Sequence, residues 1–96
     1  FIEKFEGGFC FMDLYDEFCM TICRKIRAKL KDTYVSVSYV RPTDLLEIYV
    51  RRGDLKFGYN IRNLSKQILY GCDTDKIVYD FIKEWRRKIY SEYFKD

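Results

Sequence analysis

Cys10, Cys19, Cys23 and Cys72 are the side chains of this 96-residue sequence best suited to binding a metal or forming disulfides. The chain has no His, so a zinc site would need all four as thiolates. Their spacing lacks the tight paired turns of a zinc ribbon, and Cys19 and Cys23, four apart, fall on one face of a helix. Disulfides need an oxidising compartment. The N-terminus does not read as a signal peptide, because Glu3 and Glu6 stand where a basic stretch and then a long apolar one would be. The cysteines are therefore expected to be reduced thiols used as small buried hydrophobes, with no metal and no cofactor.

Two groups of acids could pair as catalytic carboxylates or hold a hard cation: Asp13, Asp16 and Glu17, and then Asp73, Asp75 and Asp80. Each group opens a helical segment, where negative charge complements the helix dipole without any ligand. A nucleophile would need a base to activate it, and the usual one, His, is missing. Neither a P-loop nor a G-x-G-x-x-G turn occurs. The expectation is a protein that is not an enzyme.

What remains is recognition chemistry. Tyr79, Lys83, Arg86, Arg87, Tyr90 and Phe94 form a stripe of aromatics and cations, the composition of protein-binding hot spots. A second group, Tyr34, Tyr49, Arg51, Lys56 and Arg62, would give aromatic platforms and cations able to stack bases or grip phosphates. Net charge is a mild +3, but it is unevenly spread. Residues 1–23 carry one Lys against five acids, and residues 24–72 carry eleven Lys/Arg against four. That basic middle could steer an acidic partner.

These side chains need elements to hold them. At 48% hydrophobic and 19% aromatic, the chain can fill a core and is not a disordered segment. From Asp13 to Lys31 the spacing predicts a helix with Leu14, Tyr15, Phe18, Cys19, Ile22, Ile26 and Leu30 on one stripe. Its acids come first and Arg24, Lys25, Arg27, Lys29 and Lys31 come last, as the dipole prefers. Three alternating runs follow. Val35, Val37 and Tyr39 oppose Tyr34, Ser36 and Ser38; Leu46, Ile48 and Val50 oppose Glu47, Tyr49 and Arg51; Leu55, Phe57, Tyr59 and Ile61 oppose Lys56, Gly58, Asn60 and Arg62. The turns are Arg41-Pro42-Thr43-Asp44 and Arg52-Gly53-Asp54. The second spells a cell-adhesion tripeptide but reads as a hairpin. Asn63 is the expected cap of a short helix from Leu64 to Tyr70, stopped by Gly71. A long helix then runs from Asp73 or Thr74 to about Phe94, with Val78, Phe81, Ile82, Trp85, Ile89 and Tyr93 as its core stripe.

The expected fold class is α+β, in the order α-β-β-β-α-α. A three-stranded antiparallel meander carries both long helices on its apolar face, leaving the other face open. Residues 12–96 form this single domain. Residues 1–11 read as a translated leader or an N-terminal extension, because Glu6-Gly7-Gly8 can be encoded by a ribosome-binding sequence just ahead of Met12. Intact mass from the natural host would distinguish the two. No apolar run approaches the ~20 residues needed to cross a bilayer, so a cytoplasmic protein with no membrane partner is expected.

The element order over roughly residues 13–94 resembles the double-stranded-RNA-binding domain. That family opens its last helix with a basic cluster and carries Gly-Pro-x-His between its first strands. Here Asp73-Thr74-Asp75-Lys76 and Arg41-Pro42-Thr43-Asp44 stand in those places, and no residue role carries over. The order also resembles some small phage-encoded inhibitors, certain anti-CRISPR proteins among them, and the abundance of Phe, Tyr, Ile, Lys and Asp fits an AT-rich genome. The functional expectation is a small binding module of inhibitor-like, phage or mobile-element type, taking a protein partner or a second copy of itself. The alternative is a nucleic-acid-binding domain.

Overall fold

Ile22 and Ile26, four residues apart on the first helix, are fully buried, and the architecture follows from what covers them. The computed structural model describes residues 14–93. The segment 1–11, Cys10 within it, Asp13 and Phe94 lie outside the described residues. Helix α1 spans Leu14–Lys29, strand β1 Tyr34–Val40, strand β2 Leu45–Arg52 and strand β3 Leu55–Ile61. Helix α2 follows at Leu64–Leu69 and helix α3 at Thr74–Tyr93. The expected order is observed, with β2 central in an antiparallel sheet β1-β2-β3.

Register fixes the faces. Val35 pairs with Val50, and Val50 with Phe57; Val37 pairs with Ile48, and Ile48 with Tyr59. All of these turn to one side, where α1 covers β1 and α3 covers β3. Leu46, Ile48 and Val50 of the central strand are essentially inaccessible. Phe57 lies 5.7 Å from Phe81 and 6.0 Å from Trp85 between ring centres, so aromatic packing seats α3 on the sheet edge. Burying each such side chain contributes roughly 1.5–3 kcal/mol.

Each turn has a local cause. Between β2 and β3 only Gly53 and Asp54 intervene, and Gly53 adopts φ 61°, which glycine reaches without steric cost. Arg52 is occupied elsewhere: its guanidinium lies 5.8 Å from the Trp85 ring centre and donates to Thr33 Oγ1 and the Lys31 carbonyl. The tripeptide is a hairpin corner. Between β1 and β2, a single 3-10 turn over Arg41–Thr43 ends at Asp44 in the left-handed region, φ 50°.

Three local expectations differ from what is observed. Asn63 sits at φ 55° and its side chain makes no capping bond. The first turn of α2 is capped from 21 residues away instead: both carboxylate oxygens of Asp44 accept the Ser65 amide at 3.1 Å. Tyr93 is not core but about two-thirds exposed, because the last turn of α3 runs past the strands to stand beside the Gly53 hairpin. Leu14, the first residue of α1, is likewise exposed. No described helix is long and apolar enough to cross a membrane.

Candidate functional site

The three described thiols, Cys19, Cys23 and Cys72, pack at or against the core. Cys19 is 7% exposed, and burial, aided by the negative charge of Asp16, pushes its thiol up to about 11. Burial also raises Cys72, and Cys23 donates weakly to the Val35 carbonyl at 3.8 Å. A thiol held protonated is a poor nucleophile and a poor ligand. Among the described residues, no three His, Cys, Asp or Glu side chains come together as a metal would need.

One polar cluster has no signature in the sequence. Tyr39 Oη donates to Asp44 Oδ1 at 2.5 Å, and Ser65 Oγ donates to the same oxygen at 2.9 Å. Ser65 Oγ also lies 2.8 Å from Tyr15 Oη. With the Ser65 proton committed to Asp44, the tyrosine is the donor in that pair. The Tyr15 and Tyr39 rings stack at 4.3 Å, only 9° from parallel. Tyr39, then Ser65, stabilise the ionised carboxylate and hold Asp44 below its ordinary pKa, while the Asp44 bond raises Tyr39. A carboxylate so stabilised is a weak proton acceptor. The cluster is a clamp that ties α1, the first turn and α2 together, and it does not arm Ser65 as a nucleophile.

On the open sheet face, four of the five expected residues meet. Tyr34, Arg51 and Lys56 stand in one cross-strand row, and Ser36, Tyr49 and Gly58 in the next. The Tyr34 and Tyr49 rings meet edge to face at 6.2 Å, and the Arg51 guanidinium lies 5.6 Å from the Tyr34 ring centre. Arg62 is not with them. It follows Ile61 at the far end of β3, beside Asn63 and Gln67, where its carbonyl accepts a bond from Gln67 Nε2 at 2.9 Å. Counting alone could have found this, because Arg62 is six positions along the chain from Lys56, a distance of roughly 20 Å in a strand.

The stripe on α3 is exposed, as helical spacing requires when Ile77, Val78, Phe81, Ile82 and Trp85 face inward. Tyr79 and Tyr90 are each about two-thirds exposed. With Lys83, Arg86 and Arg87 they line a shallow hollow of about 380 Å³. Arg87 is engaged by Glu84 at 3.3 Å on the same helix.

The hollow does not stop at α3. Tyr79, Ile82 and Arg86 are shared with a larger groove of about 750 Å³, whose other wall is α1 through Lys25, Ala28 and Lys29. Lys25 Nζ donates to Thr74 Oγ1 and Asp75 Oδ1, both at 2.7 Å, locking α1 to the start of α3. That bond and the Lys25 charge lower the Asp75 pKa. Further along, Leu30 shares a cavity with Trp85 and Ile89, so the two helices run in the same general direction. Read in sequence, the basic second half of α1 is simply a helix end matched to its dipole. Packing sets part of it opposite the α3 stripe.

No protein-family model, curated protein or solved structure matches this chain.

Proposed function

We propose that this chain is a non-enzymatic binding module that engages another protein through the outer face of α3, with Tyr79, Lys83, Arg86, Arg87 and Tyr90 as its contact residues. The observation that supports the reading is the continuity of that face with the α1–α3 groove. Exposed tyrosines and arginines stand around Ala28 and the outer edges of the buried Val78 and Ile82. Aromatic and arginine anchors around a desolvatable centre are what binding hot spots require.

Peptide selection tests this even while the partner is unidentified. Displayed random peptides are selected on the intact chain and counter-screened on the Tyr79→Ala, Arg86→Ala, Tyr90→Ala triple variant. The reading expects families of binders that need the wild-type face. A selection that returns no binders, or only binders indifferent to the substitutions, removes the α3 face as a protein-binding site.

A second reading, single-stranded nucleic acid on the open sheet face, is favoured by one observation. Tyr49 lies between the small residues Ser36 and Gly58 in its cross-strand row, which leaves room for a base beside its ring. It predicts binding that weakens steeply with salt and is lost in Tyr49→Ala.

A further inference from the structure

From the groove between α1 and α3 we infer the partner's chemistry: an acidic amphipathic helix, laid along the groove as a third helix beside the two. The inference rests on the protein-binding reading above and specifies its occupant.

Three features lead there. First, two helices lying side by side leave a furrow into whose bottom the side-chain ridge of a third can fit. Here Val78 and Ile82 close the bottom as part of the core. The apolar surface open to a partner is chiefly the exposed Tyr79 ring and Ala28, and Ala28 keeps the α1 wall low enough for close approach. Second, the walls are cationic on both sides. Lys29 projects from α1 and Arg86 from α3, with Lys83 on the adjoining hollow. None of these three makes a hydrogen bond or close ion pair among the described residues, and only Lys29 has part of its charge engaged, by Asp75. The one acid in the larger groove, Asp75, is already bound to Lys25 at its end. Unspent positive charge flanking an apolar strip is complementary to a helix with an apolar stripe and carboxylates on its flanks. Third, the sheet's central strand and the inner helix faces are buried without help from this groove, so leaving it open costs the fold no core.

Nucleic acid suits the groove less well. A phosphate backbone would meet Lys29, Lys83 and Arg86 but would leave the exposed Tyr79 ring and Ala28 uncovered by anything apolar.

The test uses the full chain and a labelled synthetic peptide of about eighteen residues, five helical turns, with a leucine stripe and glutamates on its flanks. Comparison probes are a scrambled peptide of the same composition, the same helix with lysines for glutamates, single- and double-stranded oligonucleotides, and anionic lipid vesicles. The inference expects the acidic amphipath to bind at least about tenfold tighter than the scramble. Lys29→Glu with Arg86→Glu should weaken it by about tenfold or more while transferring preference to the lysine peptide. Circular dichroism confirms that the double variant is folded. If the variant is unfolded, shifts of the Val78 and Ile82 amide resonances on titrating the wild-type chain decide the matter. Equal binding of the scramble would reduce the effect to bulk charge and overturn the inference. So would tighter binding of an oligonucleotide or vesicle, or a dimer in solution that Arg86→Glu dissociates. If no peptide binds but selection still yields Tyr79-dependent binders, the acidic helix is wrong and the protein-binding reading survives. If selection fails as well, both fall.

Discussion

The open sheet face and the α1–α3 groove have nearly the same composition, tyrosines among arginines and lysines, yet the groups are used differently in the two places. On the sheet the groups satisfy one another: Tyr34 packs on Tyr49, and Arg51 lies over Tyr34. Around the groove and the adjoining hollow, Lys83 and Arg86 stand exposed on α3 and have no hydrogen-bond or ion-pair partner among the described residues. Composition made both surfaces candidates. What separates them is whether the polar and aromatic groups are already spent on the fold. Groups spent on the fold contribute stability, as Lys25 and Arg87 do beside the groove as well, and cations such as Lys83 and Arg86 are available to a partner.

The largest test of that contrast removes the support common to both. Trp85 is 1% exposed, packed on Phe57 and covered by Arg52. Trp85→Ala should cost about 3–5 kcal/mol, the range for deleting a buried indole. In a domain whose total stability is on the order of 5–15 kcal/mol, this brings the chain close to unfolding. Urea denaturation followed by circular dichroism would show it, and both surfaces should fail together. A variant that keeps its midpoint would mean that α3 is held by something other than its aromatic seat.

Next in size is the clamp at Asp44, which anchors the end of the molecule distant from the Gly53 hairpin. Tyr39, then Ser65, hold the Asp44 pKa below its unfolded value. Its contribution to stability is therefore present above about pH 4, the ordinary aspartate range, and is lost as pH falls through the lower folded value. Tyr39 runs the other way. Its pKa is raised chiefly by the Asp44 bond, so its contribution is intact below about pH 10 and fades as pH climbs through the folded value. Asn tolerates the left-handed backbone of residue 44, so Asp44→Asn isolates the charge. It should flatten part of the acid limb of a stability–pH curve, and Asn63→Ala should leave that limb alone. An unchanged acid limb in Asp44→Asn would show that the clamp is not electrostatic.

That clamp also marks where sequence reasoning stops. Element order, strand faces and the seating of both long helices were legible because each depends on a short period, two in strands and 3.6 in helices. The hairpin at Gly53 depends on local turn chemistry and was equally legible. Asn63 looks like the α2 cap in sequence because caps are sought next to the helix they serve. The actual cap comes from Asp44, and no local pattern joins residues 44 and 65. Lys25 and Lys29 read as a solvated helix end for a similar reason, since their place across from Tyr79 and Arg86 exists only after packing. Tyr93 continues the α3 stripe by spacing alone, and periodicity does not say where the sheet underneath ends.

A smaller effect sharpens the sheet half of the contrast. If Tyr34 and Arg51 support each other, a double-mutant cycle of Tyr34→Ala and Arg51→Ala should give a coupling of about 0.5–1 kcal/mol, the range for an exposed cation–π pair. Zero coupling would free Arg51 for a ligand and strengthen the nucleic-acid reading at the expense of the groove.

The smallest expected change is in the groove itself, and its smallness is the point. Lys83→Ala and Arg86→Ala remove no ion pair or hydrogen bond among the described residues and sit on a helix whose buried side faces away. Alanine is the best helix former, and Lys and Arg are only slightly worse, so even the local term is neutral or faintly favourable. Each substitution should leave the unfolding free energy within about 0.5 kcal/mol of wild type. The same two variants should nonetheless weaken whatever ligand the α3 face takes. A loss of stability well above that margin would show that these cations support the fold, as Arg51 does on the sheet, and the distinction between the two surfaces would collapse. A neutral stability with impaired binding is the pattern expected of side chains kept for a partner.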